Sequence, residues 1–176
     1  MTINDNTHTI VMVDSAPEPV TCRVSPRLYY NHDATCPVKT TGVLPFTRHD
    51  GKIFVLLQCY TDKSLYQDFG GGLRFDDSTT VAAAARECHE ESNGVINSDV
   101  LEKELSEEFA SYHQRGKYLV FFVEISPIHP SVFGTKEHHD DIERTCHWVE
   151  LDMVRRYHLH PRLKYSEFDS DLRKMI

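Results

Sequence analysis

The 176 residues carry 19 Lys and Arg against 27 Asp and Glu, a formal charge of −8, and 40% of them are hydrophobic. That balance is ordinary for a globular chain and offers little clustered positive charge for long nucleic acid, whose affinity comes mainly from Lys and Arg on phosphates. No apolar run approaches the roughly 20 residues of a membrane span, and the N-terminus lacks the basic-then-apolar order of a signal peptide, so the expectations are no membrane and a cytoplasmic location.

Five scattered cysteines, Cys22, Cys36, Cys59, Cys88 and Cys146, include no CxxC pair and suit reduced thiols better than a disulfide framework. The length suits one domain, expected over residues 21–176. The polar, Pro-punctuated residues 1–20 read as a flexible arm or at most one short strand.

Two β-rich runs, 39–47 and 52–60, flank "HDG", whose Asp-Gly is a strong hairpin signal. The stretch "TDKSLYQDFGGG" then reads as a loop. In "STTVAAAARECHEES" Ser78 or Thr79 can cap a helix, a run of alanines favours it, and Asn93-Gly94 supplies a left-handed stop. After a mixed segment, "GKYLVFFVEIS" reads as a central strand and "RTCHWVEL" as a later one. The stretches "LDMVRRYHL" and "SEFDSDLRKM" read as helices. This order suggests a mixed α/β sandwich.

On that helix Glu87, Glu90 and Glu91 share one face, spaced i, i+3 and i+4. Like charges at this spacing repel, and acids in the last turn oppose the macrodipole, so the pattern costs helix stability twice. A solvated acidic face is one reading, with Arg86 relieving part of the repulsion. A bound cation is the other: Mg2+ and Mn2+ take oxygen ligands and are commonly shared between carboxylates and substrate phosphates. The preceding "GGG" lacks the Lys-Ser/Thr ending of a P-loop and reads as a close-approach turn.

From Gly72 to Gly94 the segment resembles the Nudix box, which runs from a Gly through a Glu to Arg-Glu-apolar-x-Glu-Glu-x-Gly. "RECHEE" matches the core in full: Arg86, Glu87, Cys88 in the apolar place, His89, Glu90 and Glu91. Gly72 falls on the first glycine. Ser78 stands where the family has its first Glu, with Asp76 or Asp77 as partial replacements from the loop. Asn93 stands where it has the second Gly, a milder change because Asn tolerates the left-handed conformation.

The resemblance covers about residues 38–158. It implies an α/β/α sandwich with a mixed sheet, and metal-dependent hydrolysis of a pyrophosphate bond in a nucleoside diphosphate linked to another moiety. Nucleotide sugars, ADP-ribose and dinucleoside polyphosphates are the implied small phosphorylated nucleotide substrates, with Mg2+ or Mn2+ as cofactor. It further implies Glu87, Glu90, Glu91 and the Gly71 carbonyl as metal ligands, with Arg86 orienting Glu87. An acid from "KEHHDDIE" would join them, and Asp141 matches best; a solvated loop is the alternative for each of its acids. Adjacent His138 and His139 usually point apart and are discounted as a transition-metal site. Arg74, Tyr66 and Phe69 flank the glycines as candidate substrate contacts, or as packing residues with one exposed Arg. Hydrolysis of capped RNA or of diphosphoinositol phosphates stays open, as do a homodimer and a binding module that kept the fold and lost the chemistry.

Overall fold

In the computed structural model the described residues are 27–176. The expected arm at 1–20, and Cys22, lie outside them. A two-stranded ribbon of β1 (Leu28–Tyr29) and β2 (Pro37–Val38) leads into β3 (Thr40–His49) and β4 (Lys52–Tyr60). Asp50 and Gly51 both take left-handed φ, 50° and 72°, so the two-residue turn matches strand twist and sets His49 opposite Lys52.

The chain then makes two short strands where a loop is expected from sequence, β5 (Leu65–Gln67) and β6 (Phe69–Gly72). Their cause is tertiary. β5 pairs with β4, and β6 crosses to pair with β3, with Gly70 opposite Gly42. A Cβ on Gly70 would collide with the Gly42 backbone, so the glycines serve close strand approach as well as turning.

Helix α1 (Thr80–Glu91) and helix α2 (Ser98–Glu104) precede β7 (Ala110–His113) and β8 (Tyr118–Glu124). β9 (Lys136–Glu137) and β10 (Ile142–Glu150) follow. These strands form one eight-stranded sheet in the order β7-β8-β3-β4-β10-β9, with β5 on β4 and β6 on β3. β3 and β8 run parallel and the other neighbours antiparallel, so the sheet is mixed.

The expected helix at "LDMVRRYHL" is instead a 3-10 helix over Leu151–Arg156. Its buried residues, Leu151 and Val154, stand three apart, the spacing that a 3-10 turn eclipses. Helices α3 (Pro161–Lys164) and α4 (Phe168–Met175) complete the chain.

Period-two alternation divides the core between the faces of the sheet. Val43, Leu56, Leu119 and Phe121 meet Ala84, Ala85 and Cys88 of α1 and Leu101 of α2. Leu44, Leu57, Val120 and Phe122 meet Val154, Leu163, Phe168 and Leu172. The result is the α/β/α sandwich, with α1 on one face and α3 and α4 on the other. No helix among the described residues is long and apolar enough to cross a membrane.

Candidate active site

Thr79 caps α1, its hydroxyl accepting from the Ala82 N–H at 3.0 Å, and Ala83, Ala84, Ala85 and Cys88 bury one face against the sheet. Asn93 and Gly94 end the helix with φ of 56° and 77°. This packing turns the acids toward the glycine strand β6. Burial pushes the Cys88 thiol well up, consistent with a core residue rather than a nucleophile.

Ser78 is exposed and caps nothing, yet Arg86 does not lack an acid from the loop. Asp77 accepts from Arg86 Nε and Nη2, both at 2.9 Å, and from the Arg74 N–H at 2.5 Å. Burial would raise the Asp77 carboxyl, but hydrogen bonds from Arg86 and Arg74 hold it below the usual range. The same bonds, with Glu87, raise Arg86 against the cost of its own burial. The loop acid that reaches Arg86 is thus Asp77, one residue before Ser78.

The rest of the Arg86 guanidinium faces the acids. Nη1 donates to Glu87 Oε1 at 2.7 Å and to Glu90 Oε2 at 3.3 Å, so two carboxylates converge on one cationic nitrogen. Arg74 takes Glu90 in a bidentate pair at 2.7 and 2.8 Å. Glu87 lies so close over Gly71 that a Cβ there would collide with its carboxylate.

Glu91 reaches into the sheet. Its Oε2 accepts from the Gly70 N–H at 2.5 Å and from Gln58 Nε2 at 2.7 Å. Burial pushes its carboxyl up to about 8; the guanidinium of Arg162 works against that rise and Asp68 adds to it. Gln58, Asp68 and Arg162 complete this buried group, and nothing local in "LLQCY" or "HPRLKY" marks them beforehand.

The later loop is clipped to the end of the helix by Asn93. Its Nδ2 donates to the Lys136 and Phe133 carbonyls at 2.8 and 2.9 Å, and its Oδ1 accepts from the His138 N–H at 2.9 Å. Glu137 is buried and accepts from the His139 and Asp140 N–H groups. The side chain that reaches the acids is His139, whose Nε2 lies 3.2 Å from Arg74 Nη2 and 4.0 Å from Glu90 Oε2. Asp141 instead is 82% exposed and pairs with Lys136 at 2.6 Å, so the acid expected from this loop points to solvent.

Of the three candidate substrate contacts, two are packing residues, the second of the two readings the sequence offers. Phe69 is fully buried, its ring 6.0 Å from that of Phe133. Alternation along β6 puts it under α1, where no ligand can stack on it. Tyr66 packs against Tyr157 and His147 at ring distances of 4.8 and 5.7 Å. Arg74 alone of the three meets the acids.

Among the described residues no three His, Cys, Asp or Glu side chains converge into a ready cation cage. The glutamates are held by arginine and backbone donors. The donor chemistry nevertheless fits a hard divalent ion: carboxylates that already share one positive nitrogen, a glycine cradle that a Cβ would fill, and the Gln58 Oε1 oxygen, buried with no donor.

A NUDIX domain profile matches residues 37–168. No curated protein matches the chain. Similar solved structures include a Caenorhabditis elegans Ap4A hydrolase binary complex, at TM-score 0.50 and 20% identity over 78% of this chain and 94% of that one. The NUDIX domain of Shewanella oneidensis NrtR complexed with ADP-ribose aligns at 0.50 and 17% over 78% and 87%. A Listeria monocytogenes protein described as a NUDIX hydrolase aligns at 0.52 and 14% over 78% and 94%. At these identities the likeness is one of fold, while the profile spans the glycine strand, the acidic helix and the later loop together. On that match the chain belongs to the NUDIX family.

Proposed function

We propose that this chain performs metal-dependent hydrolysis of the pyrophosphate bond in a nucleoside diphosphate linked to another moiety, in the class of nucleotide sugars, ADP-ribose and dinucleoside polyphosphates. The observation that carries this reading is the convergence of Glu87 and Glu90 on Arg86 Nη1 beside the Gly71 cradle, with Asp77 holding Arg86 from behind. Glu87, Glu90, Glu91 and the Gly71 carbonyl are the groups that would hold Mg2+ or Mn2+. When bound, such an ion offsets charge on the bridging phosphates and orients them.

Arg86 keeps Glu87 in place through a charge-assisted bond. Arg74, 39% exposed, pairs with Glu90 at the rim, where a phosphate oxygen is a competing acceptor. From the later loop we assign His139 to that rim in place of Asp141.

A cavity of about 460 Å3 suits the non-reacting moiety; its lining includes Thr40, His113, Arg115, Tyr118, Arg162 and Tyr165, and no acid. Thr40 is the register partner of Gly72, so this cavity lies at the end of β6 that leads into the box loop. Capped RNA and diphosphoinositol phosphates fit less well, because the arginines beside α1 are already engaged by acids. The related domain named with ADP-ribose and the enzyme named for Ap4A support the nucleotide class.

Chromatography of products from a panel of nucleotide sugars, dinucleoside polyphosphates, ADP-ribose, nucleoside triphosphates and capped RNA tests the proposal, using wild type and Glu91→Gln with Mg2+ or Mn2+. Cleavage that needs metal and is lost in the variant supports it, and the fragments identify the bond. No turnover on any compound, with nucleotide binding intact, would favour a non-catalytic binding module.

A further inference from the structure

Between β4 and β6 the sheet opens, and side chains take the place of a neighbouring strand. β5 pairs with β4 and β6 with β3, so the Gly70 N–H and C=O and the Asp68 C=O are left for other partners. From the α1 face, Glu91 accepts the Gly70 N–H. From the α3 face, Arg162 Nη1 donates to the Gly70 carbonyl at 2.6 Å and Nη2 to the Asp68 carbonyl at 3.3 Å. Gln58 Nε2 lies between them, donating to the Asp68 carbonyl at 2.9 Å and to Glu91.

Arg162 also pairs with Asp68 side chain to side chain, Nε to Oδ1 at 2.9 Å, while the Tyr118 hydroxyl donates to the second carboxylate oxygen. Asp68 is fully buried and Arg162 is 13% exposed. The Arg162 guanidinium therefore holds the Asp68 carboxylate directly and meets Glu91 only through the Gly70 backbone between them.

We propose that Arg162 is a positioning residue for Glu91: from the opposite face of the sheet it fixes the Asp68–Gly70 backbone edge, so that the Gly70 N–H aims the Glu91 carboxylate for a divalent cation. The proposal rests on the reading of α1 as the cation-binding helix. Its geometry is directional. One guanidinium makes three bonds to the Asp68–Gly70 segment, and that segment makes one bond to Glu91. Outer groups that orient a ligand typically change metal affinity by about 10–100-fold when removed.

A buried ion pair serving only the fold is the competing account, and the two separate on a double substitution. Removing both partners of a buried pair often costs little stability, whereas removing one costs much. The experiment is Mn2+ binding to the full chain, followed by electron paramagnetic resonance of the free ion. It compares wild type, Glu91→Gln, Arg162→Lys and Asp68→Asn/Arg162→Met, with melting in EDTA recorded alongside.

The expected result is a double variant that still melts cooperatively, at a lower temperature because the Gly70 and Asp68 carbonyls lose the Arg162 donor, yet binds Mn2+ about tenfold or more weakly. A folded double variant that binds within twofold of wild type overturns the proposal. Should it fail to fold, Arg162→Lys decides by the same two criteria, since it keeps the charge and loses the three-bond grip. Wild type and Glu91→Gln binding Mn2+ equally would remove the cation reading itself and this proposal with it. That result is distinct from a wild type that binds and a variant that is unaffected.

Discussion

Asp77 and Arg86, nine residues apart, form a two-bond ion pair at 2.9 Å that spans the end of the box loop and about two turns of α1. Ser78, the next residue, is exposed, so Asp77 is the acid of this loop that holds Arg86. Asp77→Asn is expected to lower kcat/KM by about 10–100-fold, as is usual when an orienting partner of a ligand is lost. Ser78→Ala is expected to stay within twofold. Steady-state kinetics on the best substrate of the panel checks both, and the reverse order would return the role to position 78.

Gly71 and Gly72 make a matched pair. A Cβ on Gly71 meets the Glu87 carboxylate, while one on Gly72 meets open space. Gly71→Ala is therefore expected to displace Glu87 and weaken Mn2+ binding at least tenfold, on the scale of a disturbed metal ligand. Gly72→Ala is expected to bind as wild type does. Equal affinities for the two variants, measured by titration calorimetry, would contradict the placement of the cation beside Gly71.

The Glu91 carboxyl gives a pH dependence with a definite sign. Its folded value, pushed up to about 8 by burial, lies above the unfolded value near 4.5, so between those limits the folded state holds a proton that the unfolded state has released. Stability in EDTA is then greatest below about 4.5 from this group and falls as pH rises toward 8. Buried Asp68, also raised by desolvation, adds in the same direction. Melting temperatures in EDTA across this range are expected to decline for wild type and to decline less for Glu91→Gln. Parallel slopes would show that Glu91 is not the group responsible.

Tyr165, 64% exposed, contributes to the lining of the cavity at the Thr40 end, together with Arg115. Neither touches the acids. Tyr165→Ala is expected to raise KM about fivefold to 150-fold with kcat unchanged, the range for a lost stacking contact. A fall in kcat at constant KM would place the non-reacting moiety elsewhere.

The local parts of this protein were determined by sequence alone. The Asp50-Gly51 hairpin, the Thr79 cap, the Asn93-Gly94 stop and the shared face of Glu87, Glu90 and Glu91 follow from backbone preference and a period of 3.6, which need no distant partner. Tertiary structure decided the rest. It made strands of the glycine stretch by pairing it with β3 and β4, buried Phe69, and turned Asp141 out while bringing His139 in. It also set Glu91 in the gap in the sheet to meet Gln58 and Gly70 opposite Arg162, a residue seventy-one positions on. Helical spacing sets the face on which a carboxylate starts; its partners depend on which unpaired donors the fold carries to that face, and those come from strands and helices far along the chain.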